Sequence, residues 1–564
     1  MDTSSTFVKY ENNILTVGNA LFSHSFENIQ YIGSVVSDGE GLSLPYLEVS
    51  VLYGDKTQKM CIWEDLPLVY MTGHPDVQIM NLHGEHWIAR GIKLNAFTDV
   101  NDTLAVQTKK NMFARSIPDG FDGDIFFLEN PQDGNAVVII SETPDYQSAH
   151  LDVANGAVTV KNGGNALMLG FCKTGECERL CRDYYRHARH YVELISMSNT
   201  WGDSNRFSRV CSEFLLHEID AAREIGVDIV QIDDGWQTGS TADKSIRDEM
   251  GRRKFNDDFW KLDKNKFPNG MKEISDYAAK DNIRLGLWFA PDSHDGFALL
   301  ERDTAVLKKA YDEWGIRFFK IDMFWVLSDT DRDRFLELLR NIYSFGDDVS
   351  VQLDVTRNAR MNYLCGRQYG TVFVENRYAK SGNYFPHRVL RNLWTISRYI
   401  PASKFQFELI NPDIYTESYK SDDPFAPSNY DMDYLFAEVM LSNPLFWMEM
   451  QFLSAERRVQ LEKIMEVWRC CRKTLASADV APVGEEPSGR SFTGFFVSEN
   501  GRPRYFLAFR ELNEKTGYTF SLPSELGANP KLLISNCDAS AVSCGSELKV
   551  ELTSPRSYAF FEFE

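Results

Sequence analysis

Lys320 and Asp322 are the residues whose types and spacing first suggest chemistry. They lie in the run Arg317-Phe318-Phe319-Lys320-Ile321-Asp322-Met323-Phe324-Trp325. The run is too short for a helix and too apolar for a surface loop. It reads as a buried parallel strand that delivers a carboxylate at its C-terminal end. Two residues apart on a strand, both side chains point to one face. A neighbouring ammonium favours the ionised aspartate, the form that a nucleophile or charge stabiliser needs. Taken alone, the pair reads equally well as a structural ion pair.

Further carboxylates follow other apolar runs. One run ends in Gln231-Ile232-Asp233-Asp234-Gly235-Trp236, another in Trp288-Phe289-Ala290-Pro291-Asp292. Asp354 is followed by Arg357 and Arg360, Glu375 by Asn376 and Arg377, and Glu408 by Asn411. Each alone reads as a cap or turn, since Asp-Gly is common in turns. Together they describe a mouth lined with acceptors. Carboxylates accept hydrogen bonds from vicinal sugar hydroxyls, and indole faces stack on the apolar side of a pyranose. Trp201, Trp236, Trp260 and Trp288 are the candidate stacking rings, and Arg357 and Arg377 are candidate sugar ligands.

Three kinds of element must position these groups. From residue 7 to about 161, short alternating segments (35–36, 46–52, 88–92, 104–108 and 136–140) are punctuated by Gly, Asn, Asp and Pro. That pattern predicts an N-terminal β-sandwich. Residues 176–191 read as a connecting helix. Apolar runs then recur at 194–197, 227–232, 284–289, 317–321, 349–353, 371–374, 404–410 and 445–448. Helical patterns lie at 212–225, 271–280, 306–314, 332–343, 387–400 and 430–441, with a last one at 454–475. Eight strands alternating with helices is the count of a (β/α)8 TIM barrel, whose chemistry sits at the C-terminal strand ends. An open doubly wound sheet would carry a Gly-rich phosphate loop after its first strand, and Asn199-Thr200-Trp201-Gly202-Asp203 is not one. Beyond residue 477 the pattern returns to short strands, a C-terminal antiparallel β-sandwich. The expected domains are 1–175, 176–476 and 477–564.

The chain of 564 residues is long enough for several domains, and 43% hydrophobic content supports large cores. A net charge of −21 without a basic run argues against nucleic acid or anionic membranes as partners. No run of 18 uncharged apolar residues occurs, and the first residues show no secretory signal. Cys172, Cys177 and Cys181 lie close together without a fourth ligand at zinc-like spacing, so no metal is expected. The remaining cysteines fit a reducing, cytoplasmic setting. A homo-oligomer is compatible with the sequence.

Four segments carry a resemblance: Ile232-Asp233-Asp234-Gly235-Trp236, Lys264-Asn265-Lys266-Phe267-Pro268-Asn269-Gly270, Leu285-Gly286-Leu287-Trp288-Phe289-Ala290-Pro291 and Lys320-Ile321-Asp322. In order and spacing they resemble glycoside hydrolase family 36, the α-galactosidases and their relatives. The resemblance implies that Asp233 and Asp234 bind galactose hydroxyls, that Lys320 is a sugar ligand, and that Asp322 is the nucleophile. It departs from the family pattern at Ile321, where Trp is usual, and at Phe324, where Asn is usual. The Cys-Ser-Gly-Gly-Gly segment is replaced by Asp354-Val355-Thr356-Arg357-Asn358-Ala359-Arg360. The acid/base aspartate corresponds in position to Glu375, with Asp354 and Glu408 as rivals. The expectation is a retaining exo-glycosidase acting on terminal α-D-galactosides, without cofactor and with a carbohydrate substrate. The alternatives are an α-N-acetylgalactosaminidase or other galacto-configured α-glycosidase, a transglycosylase of the raffinose-synthase kind, a non-catalytic sugar-binding protein, or, most remotely, a nucleotide-dependent oxidoreductase.

Overall fold

The computed structural model describes residues 5–27, 29–37, 46–53, 56–73, 78–95, 104–143, 148–187, 193–204, 207–239, 254–354, 361–374 and 377–563. The chain forms two compact units, 1–95 with 105–189, and 96–104 with 190–564.

Among its described residues the first unit is all β, apart from one helix at Cys177–His187. A nine-stranded sheet runs from Ala105–Asn111 at one edge to Gln30–Ser37 at the other, and a four-stranded sheet is built from Ile117–Gly123, Ala149–Ala154, Ala157–Lys161 and Gln78–Asn81. Ala149–Ala154 alternates buried and half-buried residues, as a strand with one wet face must. Leu151 and Val153 from that face join Phe126, Leu128, Val137 and Ile139 of the larger sheet in one core. The expected sandwich is present.

The second unit holds a closed parallel barrel: β1 Met197–Asn199, β2 Ile229–Ile232, β3 Arg284–Phe289, β4 Phe318–Ile321, β5 Ser350–Asp354, β6 Thr371–Phe373, β7 Phe405–Leu409 and β8 Asn443–Phe446. Helices α1 Ser212–Ile225, α2 Met271–Ala279, α3 Leu300–Trp314, α4 Asp329–Tyr343, α5 Met361–Gln368, α6 Pro386–Ile396 and α7 Met432–Val439 alternate with the strands, and α8 Ala455–Ser477 follows β8. In the registers β3–β4–β5, Trp288 is level with Lys320 and Lys320 with Gln352. Neighbouring positions Phe289, Ile321 and Leu353 are level on the opposite face. The period of two thus puts polar groups inside the barrel and apolar ones under the helices.

Two strands are displaced from the apolar runs that predict them. β1 begins at Met197 because the preceding backbone is held by side chains: Asn443 accepts from Ile195 N at 3.0 Å and Asp228 from Ser196 N at 2.8 Å. β8 begins at Asn443, whose amide also donates to the carbonyls of Ser403 and Phe405 at 2.8 and 3.0 Å. A polar residue with all its bonds made can enter a barrel strand, and hydrophobic periodicity does not see it. The short helix α5 is likewise absent from the pattern.

The C-terminal region adds a five-stranded and a three-stranded antiparallel sheet, with Phe492, Phe506, Phe520, Val550 and Phe561 between them. At its junction with the barrel two carboxyls are buried. Glu438 of α7 has no hydrogen-bond partner for either oxygen among the described residues. Burial, and then the charge of Glu511, hold its carboxyl well above the usual range. Burial pushes Glu511 up to about 7, although Ser491 and Ser488 donate backbone N–H groups to it.

An acid whose native pKa is raised keeps a proton that the unfolded chain releases, so its burial costs stability as pH rises from about 4 towards 7. Glu511→Gln should therefore abolish a loss of about 1–3 kcal/mol between pH 5 and pH 8. Denaturant titrations of parent and variant at both pH values check this; parallel pH dependence would contradict it.

Candidate active site

Lys320 occupies the inward face of β4, and its ammonium meets three carboxylates. Its Nζ lies 3.0 Å from Asp233 Oδ2, 3.4 Å from Asp322 Oδ2 and 3.3 Å from Asp354 Oδ2. The lysine is 2% exposed, and the three aspartates are 3%, 7% and 1% exposed. Burial alone would discharge the ammonium. The charges of Asp233, Asp322 and Asp354 outweigh it and hold the lysine well above its usual range. Three strand ends, those of β2, β4 and β5, are thereby tied to one cation.

Asp322 and Asp233 each have further support. Asp322 Oδ2 also accepts the indole N–H of Trp288 at 3.0 Å, and Asp322 N donates to Phe289 O at 3.0 Å. The next residue, Met323, has φ +56°. A non-glycine residue there costs of order 1–3 kcal/mol, a strain that the surrounding structure must hold. Asp233 Oδ2 accepts from Asn199 Nδ2 at 2.8 Å, and Asp233 Oδ1 from Asp234 N at 2.8 Å. Asp233 therefore receives three donors from the protein itself. Asp234 Oδ1 accepts from Gln237 Nε2 at 2.6 Å, and Gln237 Oε1 accepts from Gly235 N at 3.1 Å. Gly235 permits this tight turn: its φ is +128°, and a Cβ there would stand 2.5 Å from the Cβ of Phe207.

The tryptophans divide. Trp236 is fully buried; its indole donates to Trp288 O at 3.0 Å and its ring packs on Trp260 and Trp314. Trp260 lies among Phe255, Phe259 and Phe289. These two, expected to stack on sugar, serve the aromatic core behind β2 and β3. Trp288 faces the carboxylates through its N–H. Trp201 is half-buried in the loop after β1, its backbone N–H donating to Asn199 Oδ1 at 2.8 Å.

Other strand ends are occupied differently from the sequence pattern. Asp292 accepts from Phe255 N and His294 N, both at 3.1 Å, and anchors the loop after β3. Glu408 of β7 is buried and accepts from Arg377 N at 3.3 Å, while Arg377 Nη1 reaches Asn383 O at 3.5 Å. Phe324 and Ile321 are buried, with Phe324 stacked on Phe335 at 4.2 Å between centroids. Glu375, Arg357 and Arg360 lie outside the described residues. No group of three or more His, Cys, Asp and Glu among the described residues is arranged to hold a metal ion. No described helix is long and apolar enough to cross a membrane.

Sequence reasoning passed over Asn199 and Trp447. Asn199 ends β1 and bonds Asp233. Trp447 follows β8, its ring 5.4 Å from Lys320 Nζ and 5.2 Å from Phe373. Both stand at C-terminal strand ends, the only signal that could have marked them.

Lys320→Met should leave three buried carboxylates without their cation. Removing one partner of a buried ionic cluster costs about 3–5 kcal/mol. Protonation would relieve it, so the deficit measured by denaturation should shrink towards pH 4. A deficit independent of pH would show that the ammonium does not organise the site.

The melibiase family model matches residues 174–320, the segment that carries β1 to β4 and ends at Lys320. The α-galactosidase Mel36A of Lactobacillus acidophilus is 28% identical over 115 residues, which are 20% of this chain and 14% of that protein. α-Galactosidase 2 of Pediococcus pentosaceus is 28% identical over 101 residues, 18% of this chain and 12% of its own length. These alignments thus span a small part of either curated relative. In structure, a variant of the GH36 α-galactosidase AgaA from Geobacillus stearothermophilus, in complex with 1-deoxygalactonojirimycin, aligns with TM-score 0.65 and 12% identity over 99% of this chain and 89% of that one. The α-galactosidase from Lactobacillus brevis aligns with TM-score 0.66 and 11% identity over 98% and 88%. At these identities the structures show a shared fold. Residues 174–320 thus match the melibiase model, segments of the chain are similar to α-galactosidases, and its fold is the one seen in GH36 α-galactosidases.

Proposed function

We propose that this protein is a retaining exo-glycosidase that hydrolyses terminal α-D-galactosides through a covalent glycosyl-enzyme. One observation carries the reading: Asp322, at the end of β4, has one oxygen fixed by both the Lys320 ammonium and the Trp288 indole. A carboxylate so oriented at the mouth of a barrel is arranged for attack on an anomeric carbon. The relatives named above, all α-galactosidases, support the galacto configuration.

In this reading Asp322 displaces the aglycone and forms the glycosyl-enzyme. Glu375, which follows β6 in sequence, gives its proton to the leaving oxygen, then takes one from the water that releases the sugar. The two carboxyls should stand about 5–5.5 Å apart, the separation of a retaining pair. Asp234 and Trp201 at the mouth meet the sugar's hydroxyls and apolar face. Asp233, already holding three donors, acts through its hold on Lys320 as well as on the sugar. Positive charge developing at the anomeric centre faces the carboxylate of Asp322, which is where electrostatic stabilisation is needed.

Two variants test the assignment. Asp322→Ala should fold and lose on the order of 10⁴ or more in kcat on a nitrophenyl α-galactoside; retention of a tenth of parent activity would overturn the nucleophile. Glu375→Ala should be slow on substrates with poor leaving groups, yet near normal in the first step with activated aryl galactosides. Added azide should restore its turnover and yield the α-galactosyl azide. The same pattern from Asp354→Ala, and not from Glu375→Ala, would move the proton donor to β5.

A further inference from the structure

Trp447 forms a wall of the candidate site, yet nothing about its own polar group fixes it there. Its ring lies over the Lys320 ammonium at 5.4 Å and against Phe373 and Tyr378. Its indole N–H is buried and has no hydrogen-bond partner among the described residues. A buried donor left unmade costs about 1–3 kcal/mol, so the ring must be held by something other than its own bonding. What holds it is the backbone on either side.

On the near side, Trp447 N donates to Leu409 O at 2.9 Å. Against it lies Gly202 of the loop after β1, so close that a Cβ would come within 2.0 Å of Trp447 O. On the far side, two buried carboxyls take the next backbone amides. Asp203 Oδ2 accepts from Glu449 N at 3.0 Å. Glu218 of α1 accepts from Met450 N and Gln451 N, each at 3.0 Å, and from the Gln451 side chain at 2.9 Å. Asp203 and Glu218 are 5% and 1% exposed. The hydrogen bonds of both carboxyls go to this segment and not to Lys320 or the carboxylates around it.

We propose that Asp203 and Glu218 are positioning residues of this site. They clamp residues 449–451 to the loop after β1 and to α1, and so keep the Trp447 indole on the Lys320 ammonium. The clamp closes the barrel mouth at the seam where its first and last strands meet. The inference rests on the glycosidase reading only for what the clamp serves; the clamp itself is a matter of backbone geometry.

The charge balance of the clamp gives it a pH dependence. Asp203 faces Glu449, Glu218 and Arg209, and Glu218 faces Glu449; Tyr415 donates its hydroxyl to Asp203 O at 2.9 Å. Arg209 is paired with Glu449 at 2.7 Å. Burial pushes both Asp203 and Glu218 up to about 7, and the charge of Glu449 adds to it, while their backbone bonds oppose it. As pH rises through about 7 the clamp takes on negative charge that its burial and Glu449 oppose, at a cost in stability, while the ionised carboxylates accept the backbone N–H groups more strongly.

Alanine and isosteric variants separate positioning from mere stability. Asp203→Ala and Glu218→Ala should lower kcat on a nitrophenyl α-galactoside by about tenfold to a hundredfold, the scale of an ångström of misplacement, with KM changed less. Asp203→Asn keeps the acceptor oxygen and should restore kcat to within about threefold of the parent. Glu218→Gln keeps the oxygen that serves Gln451 but sets an amide donor against Met450 N, and should recover kcat only in part. Both should also remove the inflection near pH 7 from the parent's kcat profile. If an alanine variant does not fold, Asp203→Ser and Glu218→Asp, which shorten the acceptor arm, carry the same expectation. Crystal structures give a readout independent of activity: in the variants without the acceptor, the Trp447 ring should leave Lys320. Unchanged kcat with Trp447 in place, or an effect on melting temperature alone, overturns the proposal. Should the parent hydrolyse no α-galactoside, the functional reading fails, and the clamp stands or falls on the position of Trp447.

Discussion

The site depends on one buried ammonium. Lys320 is enclosed in the barrel, where an unpaired charge would be expelled or neutralised, and it persists because Asp233, Asp322 and Asp354 converge on it. The dependence runs both ways, since three carboxylates in so small a volume need a cation between them. Such a cluster contributes less to net stability than to geometry. It fixes where the ends of β2, β4 and β5 stand relative to one another, and every other feature of the mouth is arranged around that point. Trp288 and Asn199 orient the carboxylates from the sides, and the Trp447 ring covers the cation.

The surroundings show how a barrel holds such a cluster. Gly235 allows the turn that carries Asp233 and Asp234, and Met323 takes a left-handed conformation directly after Asp322. Behind the strands, Trp236, Trp260 and Trp314 fill the space with rings. The departures at Ile321 and Phe324 are absorbed into the same apolar packing, with Phe324 on Phe335. Two of the departures from the family pattern thus lie beside Asp322, while Lys320, Asp233 and Asp322 remain in place.

Much of this architecture is legible in the residues. Alternating apolar runs and helical patterns give eight strands, and the rule that barrel chemistry sits at C-terminal strand ends leads to Lys320, Asp322 and Asp233. The limits are physical. β8 is offset because Asn443, polar but fully bonded, enters the strand, and periodicity cannot register a residue whose bonds are tertiary. Trp236 reads as a sugar platform from its place after Asp-Asp-Gly, yet the side chain turns into the core, since one residue along a turn reverses direction. Asn199 and Trp447 carry no local signature, because their partners are 34 and 127 residues away in the chain. The roles of Glu375 and Arg357 rest on sequence alone.

The central claim is that Asp322 is the group that bonds to the sugar, with Lys320 setting its position. Incubation with an activated fluorosugar of galacto configuration, followed by proteolysis and mass spectrometry, tests it most directly. The account predicts one covalently held sugar per chain, on the peptide that contains Asp322, and no label in Asp322→Ala. Labelling of Asp354, Glu408 or Glu375 in the parent would contradict it.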